Sequence, residues 1–287
     1  MNLESTTTVW GRLSGVRAGI GQVKVLNAED DASLQELLRR PRNGQDILPV
    51  GAGTNLVGSD EDNTRICLKL SKEGFGGMHS EGQEVTAGGA CSLTLVIRRM
   101  LQEGLGGLSS LVGIPGTLAS ALAGNAGAHN HSIFEFTQEA WGYSLTDGAP
   151  WRWHADDGGW GYRISPVPRN VIITGARLLF RECDIEQETQ EQTAEISRRK
   201  ETTPPYPTLG STFKNPEGYS AGRLLDEAGC KGMSIGAFSV YEGHANWIIN
   251  KSGQIAPAAD YRALVEEMKA SVRSRHGIEL QEEVRFA

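Results

Sequence analysis

Residues 47–70 read ILPVGAGTNLVGSDEDNTRICLKL, two apolar runs separated by a stretch of small and polar residues. The runs at residues 47–50 and 65–70 predict β-strands, since both are short and the second alternates in polarity. The glycine-rich loop between them offers backbone N–H groups that suit a phosphate or pyrophosphate. A Rossmann turn leads from a strand into a helix, and this loop leads from strand to strand, so the pattern argues against an ordinary Rossmann site. A plain hairpin turn remains the alternative.

Apolar spacing and turn residues outline the other elements of the chain. The sequence predicts a strand at residues 23–26 and a helix carrying Leu34, Leu37 and Leu38, which begins at Asn27 or Asp30 and is ended by Pro41. Together with the strand at residues 47–50, these suggest a small βαβ unit. Further predicted elements are a strand at 85–90, a helix after Ser92, a hairpin of 141–145 with 151–153, a strand at 171–180, a short helix after Ser220, a strand at 247–250 and a helix capped by Asp260 that ends at Gly277.

Composition limits the classes of function. The chain has 287 residues, of which 39% are hydrophobic and 22% charged, as in an ordinary folded protein of two or three units. Its net charge of -7 argues against a nucleic-acid partner, and no apolar run reaches the length of a membrane span. Four widely spaced cysteines form no Cys-x-x-Cys pair, which predicts reduced thiols in a cytoplasmic protein and no metal site.

Two further stretches are candidates for chemistry. Residues 210–216, GSTFKNP, place a hydroxyl, an ammonium and a carboxamide on one loop, which is either an active-site loop or a solvated turn. Residues 113–128, GIPGTLASALAGNAGA, carry no charge and few bulky side chains. A flat ring system could lie against them, although the residues alone favour a small-residue helix packed in a core. The polar texture of residues 184–203 indicates an exposed helix or a linker at a domain boundary.

These stretches occur in the order typical of one enzyme family. The segments 51–60, 113–128, 161–165 and 210–216, with 228–232, 244–246 and 283–285 in the tail, resemble the UDP-N-acetylenolpyruvoylglucosamine reductase family. The resemblance runs from about residue 48 to the C-terminus. It is to the shorter subtype, which lacks a tyrosine-bearing insertion. Glu282 departs from the family by replacing the usual proline, and two adjacent carboxylates at 282 and 283 would raise one pKa if both were buried.

The resemblance implies an α+β fold. A two-subdomain FAD-binding module of the vanillyl-alcohol-oxidase (PCMH) type, at residues 1–75 and 76–183, would precede an α+β substrate-binding domain at residues 200–287. FAD would be bound non-covalently, with NADPH as co-substrate. The implied FAD contacts are Gly51, Ala52, Gly53, Thr54, Asn55, Leu56, Gly113, Ile114, Pro115, Gly116, Thr117, Asn125, Gly127 and Ala128.

The resemblance also implies the reaction and its residues. NADPH would reduce the flavin, which would then reduce the enolpyruvyl group of UDP-N-acetylglucosamine enolpyruvate to UDP-N-acetylmuramate for peptidoglycan synthesis. Arg163 and Glu283 would stabilise negative charge beside the substrate carboxylate, and Ser211 would protonate the carbanion. Tyr162, Lys214 and Asn215 are the implied contacts to this UDP-sugar.

Two other functions remain open at this point. The chain is alternatively a non-catalytic flavin-binding homologue, or an oxidoreductase of the same fold, such as an oxidase, with another substrate. The segment at residues 6–12 resembles the family's usual N-terminal motif only weakly, which leaves the non-catalytic homologue open as an alternative. We expect a monomer without a membrane partner.

Overall fold

The computed structural model describes residues 5–40, 44–62 and 65–287, so Pro41 lies outside the described residues. The strands, in chain order, are β1 Ser5–Val9, β2 Gln22–Ala28, β3 Asp46–Pro49, β4 Leu56–Val57, β5 Arg65–Leu70, β6 Met78–Glu81, β7 Glu84–Gly88, β8 Leu105–Gly106, β9 Gly127–Ala128, β10 His131–Ser132, β11 Thr137–Ser144, β12 Pro150–His154, β13 Val171–Leu179, β14 Arg181–Glu182, β15 Thr208–Ser211, β16 Ser234–Ile235, β17 Phe238–Val240, β18 Trp247–Asn250 and β19 Arg285–Phe286. The helices are α1 Asp31–Arg39, α2 Lys72–Phe75, α3 Leu93–Gln102, α4 Leu118–Ala123, α5 Ile185–Thr202, α6 Ala221–Glu227 and α7 Ala258–His276.

The chain forms two compact units, each assembled from separate stretches of sequence. One unit contains Leu26–Ala52 and Leu68–Glu201, and the other contains Thr6–Val25, Gly53–Cys67 and Thr202–Ala287. The predicted α+β class is confirmed, because the larger sheets of both units are antiparallel and the helices do not alternate regularly with parallel strands. A four-stranded sheet of order β1-β2-β5-β3 completes the larger sheets.

The first unit is built on a five-stranded antiparallel sheet of order β12-β11-β13-β7-β6. The strand predicted at residues 171–180 is its central strand β13, and the predicted tryptophan-rich hairpin is β11 with β12. Buried apolar residues of α3 and α4, including Val96 and Leu122, pack with Ile173 and Leu178 of β13 in one core. Residues 172–176 of β13 are all buried, so the centre of this strand is covered on both faces, and its side chains there are apolar or small.

The second unit carries a four-stranded antiparallel sheet of order β15-β18-β17-β16. Helix α7 buries Tyr261, Leu264, Met268 and Val272, which recur at the three- and four-residue spacing of one helical face. Helix α6 contributes to the same core, and the aromatic rings of Tyr261 and Phe238 meet edge to face at 5.3 Å. This core supports the strand β15 that ends at Ser211.

Several predicted helix boundaries are confirmed and others are wrong. The Asp30 side chain caps α1 and the Ser220 side chain caps α6, as predicted, and Gly277 ends α7 in the left-handed conformation. Ser92 occupies the position before α3 but its side chain makes no capping hydrogen bond. Asp260 does not cap α7, because it lies inside the first turn of that helix.

The predicted βαβ unit corresponds to β2, α1 and β3. Strands β2 and β3 lie in the same sheet, with β5 between them. The segment at residues 184–203 is a helix, α5, but it is not wholly exposed: Glu188, Gln192 and Glu195 are buried. Glu188 accepts hydrogen bonds from the backbone N–H of Gly107, at 2.9 Å, and from the Ser109 hydroxyl, which explains a buried carboxylate there.

The described residues include all four cysteines of the chain. Cys91, Cys183 and Cys230 are free thiols, and Cys67, Cys91 and Cys230 are buried. Among the residues that the structure describes, no helix has the length and apolar character needed to cross a lipid bilayer. The same described residues contain no cluster of three or more metal-ligating side chains.

Candidate active site

The loop that carries Ser211 begins at the end of β15, on the sheet of the second unit. Thr208 pairs with Ile249 and Ser211 with Trp247, and the register shifts between these two pairs. Gly210, with a φ of +75°, lies at this irregularity. A β-bulge commonly re-aims a side chain beside an active site, so the local geometry fits a functional role for Ser211.

The C-terminal tail runs beside this loop and brings Glu283 to it. The backbone N–H of Glu283 donates to the carbonyl oxygen of Thr212 at 2.8 Å, and Phe213 pairs with Glu282 in an antiparallel bridge. Ser211 immediately precedes this pairing, and both Ser211 and Glu283 are half-buried. The structure therefore brings the predicted proton donor and the predicted glutamate onto neighbouring backbone segments.

Glu282, the departure from the family pattern, has a partner in α7. Its carboxylate lies 2.8 Å from the Lys269 ammonium. Burial would raise the pKa of Glu282, but the hydrogen bond and charge of Lys269 outweigh burial, so the pKa is lowered. The condition under which like charges would raise a pKa, burial of both carboxylates, is not met, because Glu282 and Glu283 are only half-buried. The ion pair instead holds the tail against α7.

Lys214 and Asn215 follow on the same loop. The backbone N–H of Lys214 donates to the Gln281 carbonyl oxygen at 2.9 Å, which extends the pairing with the tail. The Asn215 side chain accepts a hydrogen bond of 2.9 Å from the backbone N–H of Ala221, at the start of α6.

The tail also contacts the predicted phosphate loop within the second unit. Asn55 donates from its carboxamide to the carbonyl oxygen of Glu283 at 2.9 Å, and its own carbonyl accepts from the N–H of Arg285 at 3.0 Å. Strands β4 and β19 then pair in parallel, with Arg285 opposite Leu56. The same residue, Asn55, thus belongs to the candidate cofactor loop and holds the backbone of Glu283.

Steric limits on the phosphate loop explain its small residues. A Cβ atom at Gly53, which has a φ of +70°, would lie 1.8 Å from the carbonyl oxygen of Leu13. Gly51 and Ala52 are exposed, and Thr54 is half-buried. No side chain larger than a methyl group projects from residues 51–53, so the loop leaves its backbone open to an anionic group such as a pyrophosphate.

The candidate flavin-lining run lies in the first unit and is only partly helical. Its helix α4 has six residues, capped by Thr117, whose side chain accepts from the N–H of Ser120. Leu118 and Leu122 pack into the core, as the small-residue packing alternative requires. The turn Gly113, Ile114, Pro115 and Gly116 and the pair Gly127 and Ala128 are not buried. The run therefore packs on one side and presents small, uncharged residues on the other.

Arg163 lies beside the end of this run. Its guanidinium donates to the carbonyl oxygen of Gly127 at 3.1 Å and lies 5.5 Å from the ring centre of Tyr162, which is 59% exposed. Asn125, 1% exposed, donates to the carbonyl oxygen of Gly161 at 2.7 Å and so fixes the turn. Arg163 has a φ of +53°, a conformation that is unfavourable for a residue with a Cβ and is found most often where function requires it.

Three residues of these networks carried no functional prediction. Asn246 binds the Ser211 loop, Lys269 binds the tail, and Asp60 accepts from the first N–H groups of α7. Asn246 and Asp60 belong to segments 244–246 and 51–60, whose resemblance to the family was their only signal. The groups that all three residues bind are remote in sequence, and periodicity does not detect such contacts.

Comparison with known proteins shows the class of protein to which this chain belongs. Residues 24–140 match a family model described as an FAD binding domain, and residues 202–287 match the model of the UDP-N-acetylenolpyruvoylglucosamine reductase C-terminal domain. Cholesterol oxidase from B. sterolicum shares the fold over 62% of this chain and 37% of its own, with a TM-score of 0.50 and 14% identity. The fold and the matched family models are those of an FAD-dependent oxidoreductase.

Relatives over nearly the whole chain define the family. UDP-N-acetylenolpyruvoylglucosamine reductase 2 of Symbiobacterium thermophilum is 36% identical over 96% of this chain and 89% of its own. The corresponding reductase of Geobacter metallireducens is 34% identical over 93% and 88%. The crystal structure of the Thermus caldophilus reductase matches with a TM-score of 0.84, 28% identity and 99% coverage of both chains. The chain belongs to the UDP-N-acetylenolpyruvoylglucosamine reductase family.

Proposed function

We propose that this chain reduces the enolpyruvyl group of UDP-N-acetylglucosamine enolpyruvate to UDP-N-acetylmuramate, with NADPH as reductant, in peptidoglycan synthesis. Family membership gives the reaction, and the observation that carries the assignment of residues is the pairing of the Ser211 loop with the Glu283 tail at Thr212. Free cysteines and a nicotinamide reductant support a cytoplasmic location. We further propose a monomer, with an FAD module at residues 1–75 and 76–183 and a substrate domain at residues 200–287.

The residues present fit a dinucleotide cofactor. FAD, when bound, would accept hydride from NADPH and deliver it to the terminal carbon of the enolpyruvyl double bond. The exposed backbone of Gly51 and Ala52, with Gly53, Thr54, Asn55 and Leu56, would hold the pyrophosphate. The residues proposed beside the flavin ring are Gly113, Ile114, Pro115, Gly116, Thr117, Asn125, Gly127 and Ala128.

The role proposed for Arg163 is to hold the substrate carboxylate. Its guanidinium matches a carboxylate in bidentate fashion, and the bond to Gly127 fixes its orientation in advance. Glu283 would act at the same end of the substrate, where negative charge develops as hydride arrives at the neighbouring carbon. Preorganised groups of this kind lower the barrier because they need not reorient during the reaction.

The role proposed for Ser211 is proton transfer. Hydride adds to the terminal carbon, the double-bond electrons move to the adjacent carbon, and the Ser211 hydroxyl gives that carbon its proton. The serine oxygen then recovers a proton from water or from Lys214, three residues further along the loop. Tyr162, Lys214 and Asn215 would contact the UDP-sugar, with Tyr162 offering an exposed aromatic face.

Stopped-flow measurement of the two half-reactions tests the proposal. NADPH oxidation by the FAD-loaded protein should depend on UDP-N-acetylglucosamine enolpyruvate. Ser211→Ala should leave flavin reduction by NADPH unchanged and slow flavin reoxidation by substrate by about 10² to 10⁴-fold, the usual contribution of a positioned general acid. Ser274→Ala, at an exposed serine of α7, is the matched control and should change neither rate.

Two outcomes would contradict these assignments. Equal slowing of both half-reactions in Ser211→Ala would exclude the proton-donor role. A flavin-loaded wild-type protein that NADPH reduces but the enolpyruvyl substrate does not reoxidise would contradict the reaction itself. That second result is the one expected of the alternative functions, a non-catalytic homologue or an oxidoreductase acting on another substrate.

A further inference from the structure

Asn246 makes an unusually complete set of contacts with the loop after Ser211. Its side-chain oxygen accepts from the N–H of Phe213 at 2.9 Å, and its side-chain NH₂ donates to the carbonyl oxygen of Phe213 at 2.8 Å. Its own backbone carbonyl accepts from the N–H of Thr212 at 2.8 Å. Asn246 is 3% exposed, so water does not compete for these bonds.

These contacts account for the backbone of the loop. Thr212 and Phe213 are 0% and 1% exposed, and their two N–H and two C=O groups are all bonded. Asn246 satisfies three of the four, and the tail residue Glu283 satisfies the carbonyl of Thr212. Buried backbone groups must be paired, so the position of this dipeptide depends mainly on one residue, whose side chain holds both groups of Phe213.

We propose that Asn246 is a positioning residue that aims the Ser211 hydroxyl for proton transfer, an inference that rests on the proposed function of Ser211. Ser211 is covalently joined to Thr212, so the direction of its side chain follows the backbone that Asn246 holds. A displacement of about 1 Å at a reacting group costs as much as 100-fold in rate. Only a planar group with a donor and an acceptor side by side satisfies both groups of Phe213.

The sheet itself does not depend on this side chain. Strand β15 pairs with β18 through Thr208 and Ser211, and the apolar core of the unit lies on α6 and α7. A change at the Asn246 carboxamide should therefore loosen residues 212–213 while the sheet persists. Flavin reduction by NADPH does not require Ser211, and only the half-reaction with substrate should respond.

Asn246→Asp is the sharpest test, because its effect depends on the protonation state of the new carboxyl group. As a neutral acid that group donates to the Phe213 carbonyl and accepts from the Phe213 N–H, like the amide. As a carboxylate it loses the donor and repels the carbonyl. Burial beside a carbonyl raises a carboxyl pKa above its usual value of about 4. The pH at which the new carboxyl group becomes neutral, and the reoxidation rate recovers, is therefore within reach of the assay.

The expected result has three parts, measured on the FAD-loaded protein over a range of pH. Flavin reduction by NADPH stays within about twofold of wild type. Reoxidation by UDP-N-acetylglucosamine enolpyruvate is slowed about 10 to 100-fold at neutral pH and recovers as pH falls. Wild type shows no such recovery. The titratable groups already in this region are the imidazole of His244, 3.2 Å from the Asn246 N–H, the hydroxyl of Tyr261, 3.5 Å from that of Thr212, and the carboxyl of Glu283 on the paired tail.

Asn250→Asp supplies the matched control. Asn250 is also a buried asparagine of the same unit, and it donates to the carbonyl oxygens of Val16 and Gln254 rather than to the Ser211 loop. It should lower stability without changing the ratio of the two half-reaction rates. If Asn246→Asp does not fold, Asn246→Ser, which satisfies one of the two Phe213 groups, should show the same selective slowing without the pH-dependent recovery.

Three results would overturn the inference. Slowing of both half-reactions together would make Asn246 merely structural. Reoxidation at the wild-type rate would show that Ser211 is positioned without it, and in Asn246→Asp a rate that does not recover at low pH would exclude the donor to Phe213 as the cause. Wild-type protein that does not reoxidise with substrate would instead refute the proposed function, and this inference with it.

Discussion

Asp60 determines how helix α7 begins, and its removal should lower stability by a predictable amount. One carboxylate oxygen accepts from the N–H of Ala258 at 2.7 Å and of Ile20 at 3.1 Å, and the other accepts from the N–H of Ala259 at 2.8 Å. Pro257, the residue at the N-cap position, supplies no side-chain bond. A loop residue far from α7 in sequence therefore provides the cap.

The magnitude follows from the bonds that are lost. Loss of a capping side chain costs about 0.5–2 kcal/mol, and loss of a negative charge at a helix N-terminus costs about 0.3–1 kcal/mol. Ile20 is 52% exposed, so water can replace its bond. Asp60→Ala should therefore lower the free energy of unfolding by about 1–3 kcal/mol. Asp60→Asn keeps one acceptor oxygen but turns an NH₂ group toward an N–H, and it should cost about half as much.

Urea unfolding followed by circular dichroism, at one fixed FAD concentration, measures this change, because bound ligand also shifts apparent stability. The midpoint should fall while the slope stays constant. Asp260→Asn is the control: Asp260 lies within the first turn and acts only through the helix dipole, so its cost should not exceed about 1 kcal/mol. This account of the cap would be refuted if Asp60→Ala lost less than about 0.5 kcal/mol of unfolding free energy. It would also be refuted if Asp260→Asn lost more than Asp60→Ala.

Two further predictions concern the tail and the phosphate loop. Lys269→Met should cost about 1–2 kcal/mol at pH 7. Because the pKa of Glu282 is lowered from 4.5 in the folded protein, that stabilisation is present above pH 4.5 and is lost as pH falls through the folded value, so wild type and variant should converge in acid unfolding measurements. Gly53→Ala should abolish flavin retention, because its Cβ would lie 1.8 Å from the Leu13 carbonyl oxygen. Gly82→Ala, where φ is +57° and space is open, should keep its flavin absorbance; similar flavin contents would contradict the steric argument.

Local patterns in the sequence were sufficient for most of the elements. The strands at β5, β13 and β18 and the helix α1 with its Asp30 cap follow from polarity period and capping residues within one short segment. The strand–loop–strand pattern of residues 47–70 was likewise predictable from residues within one short segment. The helical character of α5 was predicted as one of two possibilities, but its partial burial was not. Glu188 and Glu195 look like exposed residues in the sequence, because their hydrogen-bond partners lie in other segments.

The candidate site was predictable as separate segments and not as a site. Resemblance to the family selected Ser211 and Glu283, but no pattern in either segment shows that Thr212 accepts the N–H of Glu283. The lowered pKa of Glu282 was not predictable for the same reason, since its partner Lys269 lies on a different element. The sequence shows the neighbouring charge of Glu283, but it does not show that the charge of Lys269 lies beside Glu282 in space.

The amino-acid sequence by itself determined the secondary structure, the open glycine loop and the family, because each depends on residues within a few positions of one another or on segments in a fixed order. The tertiary structure alone decided which groups satisfy one another. Asp60 caps a helix 198 residues away, and Asn246 holds a loop 33 residues away. Buried N–H and C=O groups must be paired wherever the partner lies in the chain, and a hydrogen bond between remote segments leaves no periodic trace in the sequence.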